Sequence, residues 1–190
     1  MSDTDAADRL RSLVRDVADF PSPGIVFKDI TPLLADPRGL ATAVDAMTAP
    51  WVDQDVDMVV GIEARGFILG APVARALGAG FVPARKQGKL PWATTAESYG
   101  LEYGDDVLEL HVDALVADHR VVIIDDVLAT GGTASAAGRL VASTGALLVG
   151  FGFLIELAFL GGRDRLGGHH VESVIVESAD DEPLIERGVV

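Results

Sequence analysis

The chain has no cysteine. That absence excludes disulfides and thiolate chemistry. Lysine is nearly as scarce: Lys28, Lys86 and Lys89 are the only three, and every other cation is an arginine. With 29 acids against 15 bases the net charge is −14. Binding to nucleic acid or to an anionic membrane needs a basic face, so neither partner is expected. The acid excess reads most simply as a solvated surface. Long hydrophobic runs are also missing. The longest, residues 146–160, is interrupted by glycines and by Glu156, which is too broken for a membrane span. The first ten residues, MSDTDAADRL, are acidic and polar, unlike a secretory leader. These features predict a soluble, cytoplasmic protein.

What the sequence does have is apolar content. It amounts to 49% of 190 residues, enough for one domain with a sizeable core. Residues 5–19 put Leu10, Leu13, Val14 and Val17 on one helical face. The following FPSPGIVFKDITPLL carries too much proline for a helix. Asp36 and Pro37 then form a helix start, cap followed by first-turn proline. DMVVGI, GFVPAR, VLELHVD, RVVIID, LLVGFGFLIEL and VESVIVES read as strands. EARGFILGAPVARALG and GTASAAGRLVASTG read as helices, with Pro72 expected to disturb the first and Gly78 and Gly145 closing the two. Between GFVPAR and VLELHVD, the segment KQGKLPWATTAESYG reads as a long polar loop. Strands alternating with helices predict an α/β fold with a mostly parallel sheet. No linker, internal repeat or low-complexity tract divides the chain.

One stretch is chemically pointed: VVIIDDVLATGGT, residues 121–133. An apolar strand runs into two adjacent carboxylates, then into small residues and two glycines before a helix. In such sheets ligands gather beyond the strand C-termini, and a helix N-terminus with free amides attracts an anion. A Walker A loop is excluded, because Thr133 rather than lysine follows Gly132; G-x-G-x-x-G is missing too. A carboxylate set slightly back from a phosphate accepts hydrogen bonds from a sugar diol or holds a metal ion that bridges it. The pattern therefore suits a sugar phosphate, with the phosphate on residues 129–133 and the ribose hydroxyls on Asp125 and Asp126. The plainer alternative is an ordinary strand-to-helix turn with acids at the helix start.

The same thirteen residues resemble the 5-phosphoribosyl 1-pyrophosphate (PRPP) signature of the type I phosphoribosyltransferases. Three further segments resemble the adenine-specific branch of that family: FPSPGIVFKDITPLL, GIEARGFILG and ARKQGKLP with ESYGLEYG after it. The resemblance covers about residues 17–156. It implies a type I phosphoribosyltransferase fold: one domain over residues 1–190, with a small hood mainly within residues 1–35 and a core over about 36–180. It implies transfer of the phosphoribosyl group from PRPP to adenine, giving AMP and pyrophosphate. It also implies Mg²⁺ as cofactor, held mainly by PRPP oxygens with Asp125 or Asp126 in reach through water, and a homodimer.

Residue by residue, the resemblance assigns the 5′-phosphate and ribose to Asp125, Asp126, Ala129, Thr130, Gly131, Gly132 and Thr133. Pyrophosphate falls to Glu63, Ala64, Arg65 and Gly66, a loop in which relatives often hold a non-proline cis peptide. A basic loop carrying Arg85, Lys86 and Lys89 is expected to close over it, with Arg65 and Lys86 stabilising the leaving group. Adenine is assigned to Val26, Phe27 and Lys28, with stacking on Phe27 and hydrogen bonds to the main chain of its neighbours; Phe27 as plain core packing is the alternative. In the 6-oxopurine branch an aspartate in the PRPP motif is the candidate base. Ala129 fills that position here, so the resemblance points to Glu102, with Tyr103 beside it. Chemistry of the residues alone would leave Glu102 a solvated strand-edge acid. The 6-oxopurine enzymes also read the base oxygen with a late lysine, and no lysine follows Lys89, which favours a 6-amino purine. A sensor of PRPP that has lost catalysis would be expected to lose the basic loop or gain a DNA-binding module, and neither is seen. His111, His119, His169 and His170 carry no metal-ligand spacing and read as structural or exposed.

Overall fold

The structure, a computed structural model, describes residues 3–101 and 104–179. Its elements are α1 (Asp3–Arg11), β1 (Arg15–Ala18), β2 (Val26–Asp29), α2 (Thr31–Ala35), α3 (Pro37–Thr48), β3 (Met58–Ile62), α4 (Arg65–Leu77), β4 (Gly80–Lys86), β5 (Thr94–Leu101), β6 (Gly104–His111), β7 (Arg120–Leu128), α5 (Gly132–Ser143), β8 (Leu147–Leu157) and β9 (Val171–Glu177). Short 3₁₀ turns occupy Ala49–Trp51, Ala158–Leu160 and Gly162–Leu166.

Seven strands form the main sheet in the order β5-β6-β4-β3-β7-β8-β9. The five from β4 to β9 are parallel, and β6 and β5 add an antiparallel edge. The predicted α/β class with a mostly parallel sheet is what the chain adopts. The continuous apolar run of β7 has a direct cause, since both faces of the sheet are covered. Val121 and Ile123 join one core with Leu140, Val141, Phe151 and Phe153. Val122 and Ile124 face the other, with Trp51, Leu69, Val73 and Ile155.

Local chemistry sets the helix ends. The Asp36 carboxylate accepts from the amides of Arg38 at 2.8 Å and Gly39 at 3.2 Å, so α3 starts at Pro37 as its cap and proline predict. Helix α4 runs through Pro72 and ends at Gly78 with φ +70°. The missing proline amide deprives the Ile68 carbonyl of its donor, and Ile68 is on an exposed side of the helix.

Two expectations need correction. The helix expected over residues 5–19 stops at Arg11, and Val17 instead pairs with Phe27 in a two-stranded antiparallel ribbon, β1–β2. The apolar spacing of 5–19 is real, but cross-strand pairing with a distant segment overrides it. Leu10 of α1 and Leu33 of α2 are fully buried in the second core, so α1 and α2 pack with the main layers, while β1 and β2 form a sheet of their own. The long polar loop is largely a hairpin: β5 pairs with β6 from Thr94↔His111 to Leu101↔Gly104. Among the described residues no helix is long and apolar enough to cross a membrane.

Candidate active site

Strands β3, β4, β7 and β8 point the same way, so the segments that follow them collect at one edge of the sheet. There they border a cleft of about 740 Å³ that is also lined by Val26, Phe27 and Lys28 of β2 and by Gly24 and Ile25 before it. That is the size range of small-molecule sites, about 300–1,000 Å³.

At its floor lies the acid pair that ends the apolar run of β7. Asp126 is 4% exposed. Asp125 packs against the start of α4, where a Cβ on Gly66 would stand 2.8 Å from the Ile124 carbonyl and 2.9 Å from Asp125 Oδ1. Only glycine lets the helix come this close. Asp125 Oδ1 accepts the Asp126 amide at 2.9 Å. Burial first, and then the charge of Asp126, raise the Asp125 carboxyl well above the ordinary range. Burial also raises Asp126, against the lowering effect of Arg65. Arg65 Nε stands 2.7 Å from Asp126 Oδ2. The contact is an ion pair without hydrogen-bond alignment, for Oδ2 is buried and accepts no hydrogen bond. The Glu63–Ala64 peptide just before Arg65 is cis.

Beyond Leu128 the chain turns through Ala129, Thr130 and Gly131 into α5. Gly131 has φ +79°, a conformation that glycine adopts without penalty. This turn, with Gly132 and Thr133, borders a hollow of about 90 Å³ that also touches Asp125. Amides at the start of a helix and two threonine hydroxyls, with no acid at the tip, are chemistry that can receive an anion.

The basic residues separate. Lys86 reaches the cleft, where its ammonium pairs with Asp106 at 2.8 Å. That hydrogen bond chiefly raises the Lys86 pKa and lowers that of Asp106. Arg85 and Lys89 turn to Glu63 instead: Arg85 Nε lies 3.3 Å from its carboxylate, Lys89 pairs with it, and the Lys86 amide donates to it at 3.0 Å. Burial raises the Glu63 pKa, but these partners outweigh it and hold it below the usual carboxylate range. Glu63, expected to face pyrophosphate, thus gathers the cations of the neighbouring strand.

Sequence reasoning missed Tyr99 and Asp106. The Tyr99 hydroxyl donates to Asp106 at 3.1 Å and also bonds Thr133, so the hairpin is tied to the anion loop. Only the SY of ESYG hinted at this, and which way a tyrosine on an edge hairpin faces depends on register.

Val26, Phe27 and Lys28 all border the cleft. Phe20 meets the Phe27 ring edge-on at 5.2 Å, and the Arg65 guanidinium lies over that ring, 4.7 Å from its centroid. Phe27 is therefore half-buried at the site rather than part of either core. The Lys28 side chain leaves the cleft: its ammonium is buried between Glu177 at 2.6 Å and Asp16 at 2.9 Å. Leu157, Phe159 and Leu160 line the same cleft, an apolar contribution that the sequence did not announce.

Among the described residues no three His, Asp or Glu side chains form a metal cage. Asp126 Oδ2 is buried without a hydrogen-bond partner, and a carboxylate left so could serve a hard cation that takes its other oxygens from a ligand and water. Glu102 and Tyr103 lie outside the described residues.

Residues 33–173 match the family described as the phosphoribosyl transferase domain. The chain is 58% identical to the adenine phosphoribosyltransferase of Anaeromyxobacter sp. over 170 residues, 90% of this chain and 96% of that protein. Among solved structures, adenine phosphoribosyltransferase from Rhodothermus marinus superposes with TM-score 0.89 at 52% identity, covering 92% of this chain and 99% of that one. The Saccharomyces cerevisiae adenine phosphoribosyltransferase, complexed with D-2,5-dideoxy-2,5-imino-altritol 1,6-bisphosphate and adenine, superposes with TM-score 0.86 at 39% identity, covering 90% and 99%.

Proposed function

This chain belongs to the phosphoribosyl transferase domain family, and we propose that it is the adenine-specific enzyme of purine salvage, transferring the phosphoribosyl group of PRPP to adenine with release of pyrophosphate and AMP. One observation carries the reading: Glu63, Ala64 and Arg65, the acids Asp125 and Asp126, Ala129 and Thr133, and residues 24–28 all border one cleft, while the turn 129–133 lines an adjoining hollow that Asp125 also touches. PRPP has the matching shape, a ribose diol between a 5′-phosphate and a 1-pyrophosphate.

The residues divide the work by chemistry. Residues 129–133 hold the 5′-phosphate through amides and the hydroxyls of Thr130 and Thr133. Asp125 and Asp126 accept the ribose hydroxyls. Arg65 supplies a forked cation to the pyrophosphate, and Lys86 exchanges Asp106 for it. Arg85 and Lys89 reach the same anion only by leaving Glu63. Adenine enters between the ribbon, with Phe27 and the main chain of Val26 and Lys28, and the wall of Leu157, Phe159 and Leu160. Breaking the C1–O bond builds positive charge on the sugar, as in glycoside cleavage, and negative charge on the departing pyrophosphate, which Arg65 and Lys86 oppose. Mg²⁺, when bound, would supply further neutralisation of that leaving group, and Asp125 or Asp126 would reach it through water. Glu102 takes the proton that adenine sheds, since Ala129 cannot. The enzyme works in the cytoplasm as a homodimer.

The test is competition. Equal concentrations of adenine, hypoxanthine and guanine are supplied with limiting PRPP and Mg²⁺, and the nucleotides are separated. AMP should dominate. IMP or GMP in comparable amounts would overturn the base assignment, and no nucleotide at all would overturn the activity.

A further inference from the structure

A phosphomonoester carries nearly two negative charges at neutral pH. The loop proposed to hold it supplies amides and hydroxyls but no cation, and two carboxylates lie at its base. The nearby cations are engaged: Arg65 on Asp126, Lys86 on Asp106, and Arg139 on Glu97 and the Ser98 carbonyl.

The turn Gly162–Leu166 packs directly behind this loop. A Cβ on Gly162 would meet the Ala129 carbonyl and stand 3.0 Å from the Gly131 amide nitrogen, and one on Gly131 would meet the Gly162 carbonyl. Two backbones touch here because both residues are glycine. The turn is also anchored. Arg163 grips Glu156 through Nε at 3.0 Å and Nη2 at 2.5 Å, and donates to the Val171 carbonyl at 2.9 Å. Ser173 donates to the same carboxylate at 2.7 Å, and Leu166 is 2% exposed. Between these anchors sits Arg165, an exposed cation with neither ion pair nor hydrogen bond among the described residues. Its Nη1 lies 4.0 Å from where a side chain on Gly132 would begin, with the Tyr99 ring 3.7 Å from the same point.

We infer that Arg165 is a 5′-phosphate ligand, closing over the anion from the side opposite Asp125 and Asp126. This rests on the phosphoribosyl reading of the cleft and adds the cation that the loop lacks. The guanidinium fork can donate to two phosphate oxygens at once. The fixed turn behind the loop limits how far Arg165 must move, and Arg163 with Glu156 keeps that turn in place.

The experiment measures binding of ribose 5-phosphate and of inorganic pyrophosphate, separately, to the full chain by calorimetry. Arg165→Ala should weaken ribose 5-phosphate about tenfold or more, the scale of a lost charged hydrogen bond. Pyrophosphate affinity should stay within about twofold, and Arg165→Lys should recover part of the loss. The melting temperature should not change, since Arg165 holds nothing in the free protein. Unchanged ribose 5-phosphate affinity in Arg165→Ala overturns the assignment alone. An equal loss for both ligands also overturns it, for Arg165 would then act only through the general field. A wild-type chain that binds no ribose 5-phosphate overturns the phosphoribosyl reading, and this assignment with it.

Discussion

Arg65 Nε lies 2.7 Å from Asp126 Oδ2, so the cation proposed for pyrophosphate and the acid proposed for the ribose hold each other. Lys86 with Asp106, and Arg85 and Lys89 with Glu63, repeat the arrangement. A cation left unpaired in a partly buried cleft is costly, and so is an unpaired carboxylate. Pairing them keeps both near their places until substrate arrives. PRPP then offers an anion to Arg65 and a diol to Asp126, so one exchange satisfies both.

Asp126→Asn should weaken PRPP by about 1.5–3 kcal/mol, the worth of a charge-assisted hydrogen bond. An amide is a poorer acceptor for the diol and a poorer partner for the waters of a metal. Initial rates against PRPP concentration check this. An unchanged KM and kcat would remove Asp126 from the site.

Asp125 gives the opposite expectation for stability. Its folded-state pKa is raised above the ordinary 3.8 by burial and by Asp126. Stability linked to such a group is fully present below the ordinary value and is lost as pH rises through the raised one. Asp125→Asn keeps the acceptor for the Asp126 amide and removes the buried charge. Its melting temperature at pH 8 should exceed that of the wild type, with the gain shrinking as the pH is lowered towards 4, while activity falls. A lower melting temperature at pH 8 would contradict the account.

Lys28→Met separates the ribbon from the core. The ammonium joins Asp16 of β1 to Glu177 of β9, and its loss leaves Glu177 buried with Arg11 at 3.8 Å. The fold should lose about 3 kcal/mol, as buried pairs do when one partner goes. Because Phe27 adjoins this strut, KM for adenine should rise more than KM for PRPP. Equal rises, or a rise for PRPP alone, would deny the ribbon its role in holding the base.

Glu102→Gln should lower kcat at least about tenfold, the low end for a positioned acid–base group. PRPP affinity measured directly should change much less. The rise of rate with pH through the carboxylate range should flatten. Full turnover in this variant would pass the proton to water or to the departing pyrophosphate.

How much of this could be read in the sequence depended on how local the cause was. Asp36 with Pro37, the apolar run of β7 and Gly131 act within a few residues, and their structural consequences were legible. Val17 was not, because a helical spacing lost to pairing between β1 and β2. Residues 94–101 read as loop because what makes them a strand is pairing with β6, from Leu101↔Gly104 out to Thr94↔His111, which no pattern within the segment announces. The same limit applied at the site. Asp125, Asp126 and the 63–66 loop stood out by motif. That Glu63 would draw off Arg85 and Lys89, that the Lys28 ammonium would turn away from the cleft, and that Phe159 and Leu160 would join Phe27 in lining it were settled only when distant segments met.

The central claim is that one cleft holds the 5′-phosphate, the ribose and the base in a line, with pyrophosphate on the far side of the sugar. A crystal structure with AMP and pyrophosphate tests it most directly. The account predicts the 5′-phosphate on the amides of residues 129–133, the ribose hydroxyls on Asp125 and Asp126, and adenine between Phe27 and the wall of Leu157 and Leu160. It also predicts pyrophosphate at residues 64–66, with Arg65 withdrawn from Asp126. A phosphate elsewhere than residues 129–133, or Arg65 still paired with Asp126 beside bound pyrophosphate, would contradict it.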